Sequence, residues 1–163
     1  MKKLITILLV LFILCGCQLN KQTNDKDENY LNLIDTLKDR SVFASESDSF
    51  DIELQVAKTN DAYRFYVIID NPNYAMYGVE AIAVEKGVDY SLNMAANVGV
   101  FEDIEYNMVP GQANPDKGYV TGLSISGVTA SSTPTIHVLV QWYSKKQEVH
   151  QEFIELTGNF EEE

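Results

Sequence analysis

The chain has 163 residues, 24 acidic and 12 basic, giving a formal charge of −12 and an isoelectric point near 4.5. A surface of that sign repels phosphate backbones and anionic headgroups, which excludes nucleic acid as a partner; the acid serves either solubility or the reception of a cationic partner. Both cysteines precede residue 18, so the rest of the chain folds without disulfides, and its length suits one domain around a single core.

Met1-Lys2-Lys3 opens the chain, and Leu4 to Leu14 follow with Thr6 as the sole polar residue. This is a positive segment and an apolar one of signal-peptide length. As a helix the run would rise only about 17 Å, against roughly 30 Å of bilayer hydrocarbon, so a permanent transmembrane anchor is the weaker reading. Cys15 and Cys17 make a poor disulfide, because a ring closed across one residue is strained, and two thiolates are too few for a structural metal site. Leu14-Cys15-Gly16-Cys17 resembles the lipobox of bacterial lipoproteins, with small Gly16 before Cys17; Cys15 stands where Ala or Ser is usual, a side chain of similar size. The resemblance implies that residues 1–16 are a signal peptide and that Cys17 becomes the mature N-terminus, carrying diacylglycerol. It places the chain on the extracytoplasmic face of a bacterial cell membrane, and domain stability without disulfides favours a Gram-positive one. Cleavage would remove Lys2 and Lys3 and make the chain still more acidic.

Residues 17–29 read as a lipidated, flexible tether, with a root-mean-square span of about 20 Å. In 30–41, Tyr30, Leu33, Ile34 and Leu37 recur at helical spacing, with Asp27 and Glu28 before them and Lys38 and Arg40 after. An amphipathic helix of that length is marginal alone, so it docks either on the domain or on a partner. Its acidic opening argues against lying on the membrane.

From residue 50 the period becomes two. Phe50, Ile52, Leu54 and Val56 share one face, and the segment "TNDA" leads to "YRFYVIID". A four-residue loop sets Val56 against Phe65, Leu54 against Val67 and Ile52 against Ile69; a loop one residue shorter would put Arg64 opposite Val56. Further strands are predicted at 77–86, 96–101, 118–126, 135–144 and 148–156, with "GLSISG" read as a strand carrying a glycine bulge. A tight turn at Lys145-Lys146 pairs Trp142 with Val149 and Val138 with Phe153. Asn71-Pro72, Pro110-Gly111 and Asn114-Pro115 supply turns. Strands spaced this way without intervening helices predict an antiparallel β-sandwich over 42–157, followed by an acidic tail at 158–163. The segment "YVIIDNPNYAMYGVEAIAV" resembles the strand, Asn-Pro turn, strand pattern of bacterial immunoglobulin-like or fibronectin-like surface domains. That resemblance implies an immunoglobulin-like architecture.

Chemistry-bearing residues are sparse. His137 and His150 are read as strand residues facing away from Val138, Trp142 and Val149. No serine in "GLSISG" has the flanking glycines of a nucleophile elbow. The acids of "FEDIEY" and "SESDSFDIE" lack calcium-loop spacing and read as solvated edge charge, and no cofactor or metal site is predicted. The candidate partner-binding residues are Tyr74, Met76 and Tyr77 in one loop and Tyr106 and Met108, with Val109, in another. Such side chains suit recognition, and they equally suit plugging the open ends of a core. The expected function is a noncatalytic, membrane-tethered binding module with an extracytoplasmic protein partner. The alternatives are a lipoprotein guarding its cell against a secreted toxin or phage, and an enzyme acting on wall polymer or peptide.

Overall fold

The computed structural model describes residues 25–90 and 94–160. Cys17, the signal peptide 1–16, the start of the tether and residues 161–163 of the acidic tail lie outside the described residues. Helix α1 covers residues 25–38. It begins earlier than the apolar periodicity indicates, so residues 25–29 belong to the helix rather than the tether. Asp25, Asp27 and Glu28 lie at its N-terminal end and Lys38 at its C-terminal end, the arrangement that suits the helix dipole.

Nine strands follow among the described residues. β1 (Asp51–Lys58), β2 (Tyr63–Asp70) and β7 (Gly122–Thr129) form one antiparallel sheet in the order β1-β2-β7. β3 (Tyr77–Glu85), β4 (Ala96–Val98), β8 (Thr135–Tyr143) and β9 (Val149–Thr157) form a second, ordered β4-β3-β8-β9. Two short strands, β5 (Asn107–Met108) and β6 (Tyr119–Val120), pair in parallel outside both sheets. This is an immunoglobulin-like sandwich preceded by a short helix.

The β1–β2 register is the expected one: Val56 meets Phe65, Leu54 meets Val67 and Ile52 meets Ile69. Phe65, Val67 and Ile69 pack with Val138, Val140 and Trp142 in the core between the sheets. The β8–β9 register differs by one residue, since Trp142 faces His150 and Val138 faces Ile154. The turn is longer than Lys145-Lys146 alone: Ser144 N donates to Glu148 O at 2.9 Å, and Gln147 takes a left-handed φ of 64°. A one-residue slip exchanges the faces of a strand. Ile154 and Leu156 therefore enter the core, Phe153 turns toward α1, and Val149 is 55% exposed. His150 lies on the same side as Trp142 rather than opposite, its ring stacked on the indole at 5.4 Å.

"GLSISG" is strand without a bulge, since β7 pairs with β2 in unbroken register from Gly122 to Thr129. Gly127 is there for space: a Cβ would stand 2.3 Å from the Phe65 ring. The bulge lies in β3, between Tyr77 and Glu80, where Gly78 has φ +56°.

The outer face of the four-stranded sheet is covered by α1. Leu33, Ile34 and Leu37 pack on Ile82, Val84 and Leu139, so the helix docks on its own domain. Full burial of such side chains stabilises by about 1.5–3 kcal/mol each, which holds a helix that would be marginal alone. The molecule thus has three layers: helix, four-stranded sheet and three-stranded sheet.

Candidate functional site: an acidic cleft at the head of the helix

Where α1 begins, a cleft of about 340 Å³ opens between the helix, β3 and a loop. Its walls include Asp25, Lys26 and Asn29 from the helix, Gly78 and Glu80 from β3, Glu102 to Tyr106 from a loop, and Tyr143 from β8. The β3 bulge shapes the floor. Gly78 N donates to Asn107 Oδ1 at 3.2 Å and Val79 N to Tyr106 O at 2.8 Å, tying the loop to the strand. A Cβ at Gly78 would stand 2.7 Å from Glu105 Oε1 and 3.2 Å from the Tyr143 ring. Glycine is what lets that carboxylate and that ring close over the backbone.

Glu80 is the half-buried acid of the site. Asn29 Nδ2 donates to its Oε1 at 2.8 Å and Gln141 Nε2 to its Oε2 at 3.1 Å, while Gln151 Nε2 donates to Gln141 Oε1 at 2.7 Å. Burial pushes the Glu80 carboxyl above the usual carboxylate range; the two amide bonds pull it back in part, and the nearby Glu105 charge adds to the rise. Lys26 supplies a cation at the rim, but its ammonium is already committed. It donates to Phe101 O at 2.8 Å, Glu102 O at 3.0 Å and Asp103 Oδ1 at 2.9 Å, three bonds that fill its donor capacity. The bond from Lys26 holds the Asp103 carboxyl below its usual range.

The cleft therefore combines fixed carboxylates with the rings of Tyr106 and Tyr143, a surface suited to an ammonium or guanidinium group. Among the described residues no cluster of three His, Cys, Asp or Glu has the arrangement to hold a metal ion.

The sequence-derived candidates are dispersed. Tyr106 lines the cleft, and Tyr77 is paired with Tyr143 beside it. Met76 and Met108 are not surface residues: they exchange two backbone hydrogen bonds of 2.9 Å and lie wholly inside the core, which is the plug reading. Tyr74 is 45% exposed at another site, its hydroxyl bonded to Ser49, which also bonds Glu152, and its ring 6.4 Å from Trp142. Val109 borders a separate hollow with Asn71, Pro72 and Gln112. His137 pairs across strands with Glu155 at 2.7 Å and stacks on Phe43. The acids of "FEDIEY" are a cleft wall as well as solvated charge, because Glu102, Asp103 and Glu105 all border the cavity. Lys26, Asn29, Glu80, Glu105 and Tyr143 are absent from the sequence-derived set. One signal was available, since Glu80 is an acid set inside the otherwise apolar stretch "VEAIAV". Comparison of the chain with protein-family models, with curated proteins and with solved structures returned no match.

Proposed function

We propose that this chain is a noncatalytic binding module, held on the extracytoplasmic face of a bacterial membrane by a lipid on Cys17, whose acidic cleft receives a cationic side chain of a protein partner. The observation that carries the reading is the pair Glu80 and Glu105 lining a concave site whose lysine is spent on the wall. The lipobox resemblance supports the location, and the sandwich supports the role of a presenting scaffold. The same cleft favours the second reading, a lipoprotein that intercepts a cationic toxin or phage protein at its own cell surface. An enzymatic reading gains less from it, because each Glu80 oxygen is already held by an amide donor, which suits a fixed acceptor better than a proton donor.

Nα-acetyl-arginine amide is a suitable probe, with the citrulline analogue as its neutral isostere. In an NMR titration the arginine compound should shift the amide signals of Glu80, Glu105, Tyr106 and Tyr143, and the citrulline compound should not. Glu80→Gln together with Glu105→Gln should abolish the response. Equal shifts from citrulline, or shifts confined to other parts of the molecule, would remove the cleft as the binding site.

A further inference from the structure

The rim of the cleft carries a second set of acceptors, apart from the carboxylates of Glu80 and Glu105. Phe101 O, Glu102 O and Asp103 Oδ1 converge on one point, and the Lys26 ammonium stands there, 2.8, 3.0 and 2.9 Å from the three. Three acceptors, one of them anionic, match the three donors and single charge of a primary ammonium. A guanidinium, planar and forked, suits a carboxylate better than such a point.

The loop holds these acceptors in place by contacts that do not involve Lys26. At one end Gly99 lies so close to β3 that a Cβ there would stand 2.2 Å from Val79 O; at the other, Val79 N donates to Tyr106 O at 2.8 Å. Between them Val100 is buried in the core beneath α1, and Phe101 packs against that core. Phe101 N also donates to Glu102 Oε2 at 3.2 Å. The acceptors are thus preorganised, which lowers the cost of receiving an ammonium from any source.

Lys26 is held less firmly than the acceptors it fills. Its neighbours Asp25, Asp27 and Glu28 are exposed, and the apolar stripe that docks α1 starts only at Tyr30. Its ion pair with Asp103 lies at the surface, the Asp103 side chain being 92% exposed, and exposed pairs add little net stability. A turn without buried apolar contacts opens at small cost. When it does, Tyr30, whose hydroxyl accepts from Ala95 N at 2.7 Å, and the stripe of Leu33, Ile34 and Leu37 keep the rest of the helix seated.

We infer that Phe101 O, Glu102 O and Asp103 Oδ1 form an ammonium subsite of the cleft, that Lys26 plugs it from within, and that a lysine of the partner takes its place when the head of α1 opens. The inference rests on the cleft as receptor for a cationic partner and adds the class of side chain that the rim takes. Because the Lys26 ammonium is attached to the same chain, it competes at high effective concentration and turns weakly bound cations away.

The test uses the isotope-labelled full chain in a neutral maltoside detergent. Lys26→Ala removes the ammonium and most of its stem, keeps a strong helix former at the position, and leaves room for n-propylammonium to supply what is missing. In that variant n-propylammonium should shift the amide signals of Glu102 and Asp103 to saturation, and the parent should not respond. Tetramethylammonium, equal in charge but without N–H donors, should bind at least about tenfold more weakly. Adding Asp103→Asn to Lys26→Ala should weaken n-propylammonium by about tenfold. Nα-acetyl-lysine amide reads the competition itself: it should bind Lys26→Ala about tenfold more tightly than the parent, and Lys38→Ala, altered at the other end of α1, no more tightly than the parent. No response of the variant, equal responses to the two ammonium ions, or an unchanged or weaker affinity for the lysine compound would each overturn the inference. So would signals of Leu33, Ile34 and Leu37 showing that Lys26→Ala undocks the whole helix, since the plug must open without it. A rim response at Glu102 and Asp103 in a chain whose Glu80 and Glu105 ignore the arginine compound would keep the ammonium subsite and fault only the guanidinium reading of the inner cleft.

Discussion

Glu80 shows how one side chain links sequence, burial and pH. Its burial raises the folded-state carboxyl above the unfolded one, so its favourable contribution is present below the ordinary carboxylate range and is lost as pH rises through the raised value. Once ionised, the half-buried carboxylate therefore costs stability. Glu80→Gln should flatten the decline that the parent shows as pH rises through the raised value; the slope is the readout and not the absolute melting temperature, since glutamine's one oxygen can accept from only one of the two amides that Glu80 holds. Glu155 works in the opposite sense: bonds from Lys86 and then His137 lower its carboxyl, so its contribution is lost as pH falls. The acid limb of the stability profile should thus survive in Glu80→Gln. Thermal melts of both proteins between pH 4 and 8 decide it, and a variant whose profile parallels the parent throughout would show that Glu80 is not the group that carries the effect. A lone acid in an apolar strand was visible in the sequence. Its partners were not, because Asn29 and Gln141 reach it only through the docking of α1 and the β3–β8 ladder.

Elements were legible where a wrong register has a visible cost. Sliding β1 by one residue would bury Arg64 against Val56, so the β1–β2 hairpin admitted one solution. The β8–β9 turn gave no such warning, since Lys145, Lys146, Gln147 and Glu148 are all polar and the left-handed residue is Gln147, with no glycine or asparagine to mark it. The start of α1 was hidden for a related reason. Its first residues face the polar cleft, so no apolar periodicity announces them, whereas its last turns carry Leu33, Ile34 and Leu37 into the second core. That division makes the helix testable. Leu37 is 1% exposed, and Leu37→Ala should cost about 2–5 kcal/mol, while Leu31→Ala, at a position 58% exposed, should leave the denaturation midpoint nearly unmoved. Equal effects from the two substitutions would mean that α1 is not fixed to the sheet through this stripe.

At the scale of the whole molecule, the anchor and the cleft bear on each other. Cys17 precedes Asp25 by a stretch of chain that can span no more than about 28 Å when fully extended. Under the proposed lipidation the head of α1, and with it the cleft, stays within that reach of the bilayer surface. An acidic domain is repelled by anionic headgroups over a Debye length of about 8 Å, so under that lipidation it would stand off the surface. The geometry depends on the cysteine that bears the lipid. Gly16 before Cys17 satisfies the small-residue requirement of the lipobox pattern, and Leu14 before Cys15 does not. Two acyl chains give stable membrane attachment where one is marginal, so loss of the diacylglycerol site should release the chain. Cys17→Ser should shift the protein from the membrane fraction to the medium or leave an unprocessed precursor, and Cys15→Ser should leave fractionation and mature mass as they are. Fractionated cells and intact-mass measurement of the two variants read this directly. A Cys17→Ser protein of undiminished mass that remains in the membrane would refute lipidation at Cys17, and with it the nearness of the cleft to the bilayer.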